Sequence, residues 1–83
     1  MNIDEIIDKL NCKISTDILS QPNRIIQHDE PLITSGLIDS FHLIDLALMV
    51  EDEFGVHIDD TELNSDCFDT LFQLADLIQS RLN

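Results

Sequence analysis

Eighty-three residues supply one hydrophobic core and no more, and an apolar content of 43% is too high for a disordered chain. Seventeen acids against four bases leave a net charge of -13 and a pI near 4.1. That balance excludes nucleic acid and anionic lipid surfaces as partners and points to basic ones.

The first predicted element follows from apolar residues at Ile3, Ile6, Ile7, Leu10 and Ile14, the spacing of one helix face. Asn2 is placed to cap it, and Glu5 stands where a capping-box acid reaches back. From Ser15 to Ile38 the period lapses, with Pro22, Pro31 and Gly36 as interruptions, so this segment is expected to be a long connection. Leu32, Ile33, Leu37 and Ile38 are its candidate anchors; whether Ile18 and Leu19 continue the helix is left open by the pattern.

The same stripe recurs at Leu43, Leu46, Ala47, Val50 and Phe54, opening at Asp39 or Ser40 as cap and closing at Gly55. Asp59 or Asp60 is placed to cap one short turn through Leu63. A last helix opens at Thr70, with Gln73 as reciprocal partner, and carries Leu71, Leu74, Ala75, Ile78 and Leu82. The expected fold is therefore all-α, three matching stripes meeting in one core, as a single domain over residues 1–83.

Lys9, Lys13, Arg24 and Arg81 are the only Lys or Arg residues, so no such base lies between Ile25 and Ser80. The acids of that stretch are expected to present an uncompensated negative field. No basic region followed by an apolar run marks the N-terminus as a signal peptide, and no apolar stretch approaches a membrane span. Cys12 and Cys67 form neither a close pair nor part of a ligand-spaced cluster, so a reduced, cytoplasmic protein without a metal site is expected. Asp59-Asp60-Thr61-Glu62 also lacks the alternating ligands and central glycine of a calcium loop.

Two features single out the middle helix. If Asp39 caps it, Ser40 lies in the first turn, where free N–H groups and the helix dipole favour a phosphate; on these two residues alone, plain capping is the favoured explanation. At about 100° per residue, Phe41, Ile44 and Leu48 fall opposite the core stripe, with Asp45 and Asp52 beside them. Such a second stripe is either a recognition surface rimmed by acids or a face over which the long connection folds. The histidines sit apart, His28 in the connection, His42 on the helix and His57 after it, so no catalytic set around Ser40 is expected.

The run from Leu32 to Gly55, with Gly36, Asp39-Ser40-Phe41 and a closing Phe54-Gly55, resembles the signature of phosphopantetheine-dependent acyl carrier proteins. Val56-His57-Ile58 running into Asp59-Asp60 and Phe68-Asp69-Thr70-Leu71 extend the resemblance over nearly the whole chain. It implies a four-helix bundle with three long helices, a short third one and a long loop between the first two. It further implies a 4'-phosphopantetheine arm, drawn from coenzyme A, on Ser40, with Asp39 beside it. The implied protein is a non-catalytic monomer that carries acyl or aminoacyl thioesters. Its partners would be a phosphopantetheinyl transferase, an activating ligase and a downstream acyltransferase or synthase, met through Phe41, Ile44, Asp45, Leu48, Glu51 and Asp52.

The chain departs from the commonest fatty-acid pattern. Two residues separate Gly36 from Asp39, Phe41 stands where Leu is frequent, and His42 follows where an acidic or small residue is common. This version is similar to D-alanyl and other stand-alone aminoacyl carriers. The alternatives that remain are an unmodified acidic module that binds proteins and, more remotely, a small hydrolase built on Ser40.

Overall fold

A computed structural model describes residues 2–82 of the chain. Every regular element among them is helical: α1 (Ile3–Lys13), a π-helical segment (Ile14–Ile18), α2 (Ser40–Phe54), a 3₁₀ turn (Asp60–Glu62) and α3 (Leu71–Arg81). The three stripes do the work expected of them, burying Ile6, Ile7, Leu10 and Ile14, then Leu43, Leu46 and Val50, then Leu71, Leu74, Ala75 and Ile78. Helices α1 and α3 pack closest together, and α2 meets the π-helical segment.

The caps explain where the helices begin. Asn2 accepts the Glu5 N–H at 2.9 Å, although no return bond from the Glu5 carboxylate is present among the described residues. Asp39 is the cap of α2, and Gly55 closes that helix at a φ of 69°, a left-handed position where any side chain adds strain. Thr70 and Gln73 form the reciprocal capping box expected at α3, and Asp59 with Glu62 forms a second one at the 3₁₀ turn. The short turn expected before Leu63 is thus a 3₁₀ turn of three residues. Leu82, placed on the core stripe of α3 by its period, is 38% exposed, because α3 ends at Arg81 and the residue falls just past the last turn.

The connection begins later than the pattern implies. Helical backbone runs on through Ile18, with the Leu19 N–H reaching the Ile14 carbonyl at 2.9 Å, the five-residue step of a π turn. Ser20 then takes a left-handed φ of 54° and breaks the path. The widened turn buries Ile14, Ser15 and Ile18 together. The buried Ser15 hydroxyl donates to the Arg24 carbonyl at 2.9 Å, satisfying a group that would otherwise be costly to enclose.

Beyond Ser20 the chain has no regular structure until α2, so its backbone groups find partners on side chains. Asn11 on α1 grips Ile26 from both sides, its Nδ2 donating to the carbonyl at 2.9 Å and its Oδ1 accepting the N–H at 3.1 Å. Asp69, just before α3, accepts from the Ile33 N–H at 2.7 Å, the Thr34 N–H at 3.0 Å and the Thr34 hydroxyl at 2.6 Å. Its own carbonyl takes the Leu32 N–H. Ile26, Leu32 and Ile38 are buried as a result, with Ile33 and Leu37 partly so.

The Thr34 hydroxyl, then the Thr34 and Ile33 N–H groups, hold the Asp69 carboxyl below the usual carboxylate range against the opposing cost of desolvation. A depressed folded-state value means that the stability this group adds is present above the ordinary value of 3.8 and is lost as pH falls through the lower folded one. Asp69→Ala is therefore expected to lower stability by about 1–3 kcal/mol in urea titrations at neutral pH. Asp69→Asn should melt with a smaller loss of Tm than the wild type between about pH 4 and pH 2; equal losses would mean that the carboxylate contributes nothing to acid sensitivity.

Candidate functional site at the mouth of α2

The approach to α2 is built from consecutive tight turns. Gly36, at a φ of 80°, donates to the Ile33 carbonyl at 3.0 Å, and the Ser35 hydroxyl bridges the Pro31 carbonyl and the Leu37 N–H at 2.6 and 3.2 Å. The Ile38 N–H returns to the Leu32 carbonyl at 2.9 Å and sets a buried isoleucine directly before the cap. Asp39 stands extended, its Oδ1 accepting the His42 N–H at 2.9 Å. Ser40 comes next, exposed, in the first turn of a fifteen-residue helix.

Electrostatically the mouth is sparse. No acid occupies the first turn of α2, whereas α1 has Asp4 and Glu5 there, so Asp39 alone faces the positive end of the α2 dipole. The His42 N–H, with a smaller contribution from the His42 ring, holds Asp39 below its ordinary range, against a counteracting desolvation effect. The ring itself approaches the same carboxylate oxygen through Nδ1 at 3.1 Å. Among the described residues no histidine hydrogen-bonds the Ser40 hydroxyl; His28 and His57 are exposed elsewhere.

Outward from this mouth runs the second stripe. Phe41 is 81% exposed, Ile44 56% and Leu48 60%, so the connection does not fold over them. Asp45, Glu51 and Asp52 are exposed on the same helix, and among the described residues none has a Lys or Arg within ion-pair distance. The structure thus brings the expected residues together on one helix, with Ser40 at one end and Glu51 and Asp52 toward the other.

The negative field is less uniform than the absence of bases from Ile25 to Ser80 implies. Bases outside that stretch reach into it: Lys9 and Lys13 approach Glu53 at 3.9 and 3.8 Å, Arg24 meets Glu30 at 2.6 Å, and Arg81 grips Glu62 with two nitrogens. Glu62 is held below its ordinary range chiefly by those Arg81 bonds. Glu53 and Glu62 are compensated where elements join and Glu30 within the connection, while the exposed acids of α2 have no Lys or Arg partner among the described residues.

A separate open groove of about 260 Å³ runs along α3, lined by Cys67, Phe72, Gln73, Asp76, Leu77 and Ser80, and includes none of the expected site residues. Phe72, 52% exposed, is its apolar wall, and its place beside rather than on the α3 stripe was the available sequence signal. Among the described residues no group of three or more His, Cys, Asp or Glu is placed to hold a metal ion, and no helix is long and apolar enough to cross a membrane.

Compared with family models, curated proteins and solved structures, the chain matches none.

Exposure separates the two faces of α2 by experiment. Phe41→Ala and Leu48→Ala are each expected to leave stability within about 0.5 kcal/mol of the wild type, and Leu46→Ala to cost about 2–5 kcal/mol. Chemical denaturation of the three variants measures the contrast; a loss at Phe41 comparable to that at Leu46 would return the aromatic ring to the core.

Proposed function

We propose that the chain is a carrier protein of the acyl carrier protein kind, holding acyl or aminoacyl groups as thioesters on a 4'-phosphopantetheine arm attached to Ser40. The observation that carries this reading is the exposed Ser40, set by the Asp39 cap in the first turn of α2 beside an apolar face edged with acids that have no Lys or Arg partner among the described residues. A modifying enzyme needs an accessible hydroxyl, and the phosphodiester it leaves gains from the helix dipole and the first-turn N–H groups. The motif around Asp39-Ser40-Phe41 supports the same reading. In it the 3₁₀ turn at Asp60–Glu62 counts as the short third helix of a four-helix carrier fold.

The arm supplies the thiol on which cargo is carried; the chain's own residues anchor and present it. Asp39 shapes the turn, Ser40 is the point of attachment, and Phe41, Ile44 and Leu48 offer apolar contacts to a partner. Asp45, Glu51 and Asp52 select basic surfaces on that partner and speed its approach. The partners in this reading are a phosphopantetheinyl transferase, an activating ligase and an acyltransferase or synthase, met in the cytoplasm by a monomer that performs no catalysis itself. The Phe41 and His42 variation favours an aminoacyl or specialised cargo over bulk fatty-acid synthesis.

A second reading, an unmodified acidic module that binds a basic protein, draws on the same exposed face, because those side chains need no modification to make contact. Co-expression with phosphopantetheinyl transferases of differing specificity separates the two. Intact-mass measurement is expected to show one phosphopantetheine on the wild type and none on Ser40→Ala. An unmodified wild type with every transferase, joined to partner binding that survives Ser40→Ala, would establish the second reading instead.

A further inference from the structure

All four Lys and Arg residues engage Glu53, Glu30 or Glu62, leaving histidine as the side chain that can change the charge of the α2 face. Two histidines bracket that face. His42 Nδ1 lies 3.1 Å from Asp39 at its start, and His57 Nδ1 lies 3.8 Å from Glu51 near its end. We infer that His42 and His57 form a proton-operated switch on the acidic face of α2, weakening its hold on basic partners as pH falls from neutral to mildly acidic.

The charge arithmetic is direct. With both rings neutral, no cationic side chain stands against Asp39, Asp45, Glu51 or Asp52 among the described residues; with both charged, one imidazolium stands against Asp39 and another against Glu51. Histidine is the side chain whose charge ordinarily changes between pH 5 and 8.

The surroundings of each ring are accounted for. Among the described residues Asp39 is the only carboxylate within 4.0 Å of a His42 ring nitrogen, with Asp45 one turn along the same helix. His57 faces Glu51 from α2 and feels Glu62 from the 3₁₀ turn; Arg81 from α3 donates to the His57 carbonyl at 3.0 Å, and its charge is taken up by Glu62. Both side chains are solvent-accessible, at 45% and 73% exposure, so proton exchange needs no opening of the fold. A neutral His42 ring that donates through Nδ1 still has Nε2 free to take the proton, leaving the Asp39 contact in place.

This switch rests on the proposal that the α2 face docks basic partners, and its test keeps the two apart. Affinity for a transferase that modifies Ser40 is measured at pH 7.5 and 5.5 for the wild type and for the His42→Gln, His57→Gln double variant, with folding checked by circular dichroism at both pH values. The partner's own titration is common to both chains and cancels in the ratio. The wild type should lose several-fold more affinity on acidification than the double variant, and the difference should shrink as salt is raised. Equal losses in the two chains would overturn the switch. Should no transferase modify Ser40, the carrier reading fails, and the same comparison with octalysine as the basic probe decides the switch by the same two outcomes.

Discussion

The placement of Ser40 depends on a carboxylate twenty-nine positions away in sequence. Asp69 holds Ile33 and Thr34 through its side chain and Leu32 through its carbonyl, and Leu32 in turn receives the Ile38 N–H. Ile38 is buried immediately before Asp39, so this chain of bonds sets where the cap of α2 can stand. Without it the stretch before α2 would lose its polar partners across the fold, while the entropy cost of ordering it, about 1–2 kcal/mol per residue, would remain. Asn11 and Ser15 perform the same service from the α1 side, each giving a side-chain partner to backbone that has no helix of its own.

With its start anchored, α2 serves two environments at once. Leu43, Leu46 and Val50 face the core, and Phe41, Ile44 and Leu48 face outward. At about 25 cal/mol per Å² of apolar surface, three large exposed side chains on one helix represent several kcal/mol of driving force that folding leaves unused. In the proposed carrier reading that surface is held for association with a partner. The acids around the stripe, which have no Lys or Arg partner among the described residues, would repel a second copy at -13 and favour a basic surface.

What was legible in the sequence is what depends on local period and capping. The three stripes, the cap at Thr70 and the left-handed stop at Gly55 are consequences of residues a few positions apart, whereas the pairs Asp39/Ser40 and Asp59/Asp60 left the choice of cap to the structure, which takes the first of each. The outward placement of Phe41, Ile44 and Leu48 came from the same angular arithmetic, yet periodicity left their covering open, because the path of the connection is a tertiary fact. Ser15 falls in the sequence at the start of the expected connection and Asn11 among the polar positions of α1, and neither place signals a role, because their partners lie 9 and 15 residues on, beyond any local pattern. The π turn escaped for a related reason, since its extra residue per turn is stabilised by burying Ile14, Ser15 and Ile18 together rather than by an intrinsic preference.

Charge obeyed the same division between local and tertiary. A stretch without Lys or Arg does imply a negative field, but bases at Lys9, Lys13, Arg24 and Arg81 cross to it from outside and neutralise selected acids. Their targets differ in place: Glu53 sits where α2 meets the end of α1, Glu62 closes the 3₁₀ turn against α3, and Glu30 ties Arg24 within the long connection. With few bases and many acids, these pairings leave no Lys or Arg against the exposed acids of α2 among the described residues. The cationic partners left to the acids at either end of α2 are then histidines, His42 against Asp39 and His57 against Glu51, so the same distribution of bases that joins the elements is what the proposed proton switch draws on.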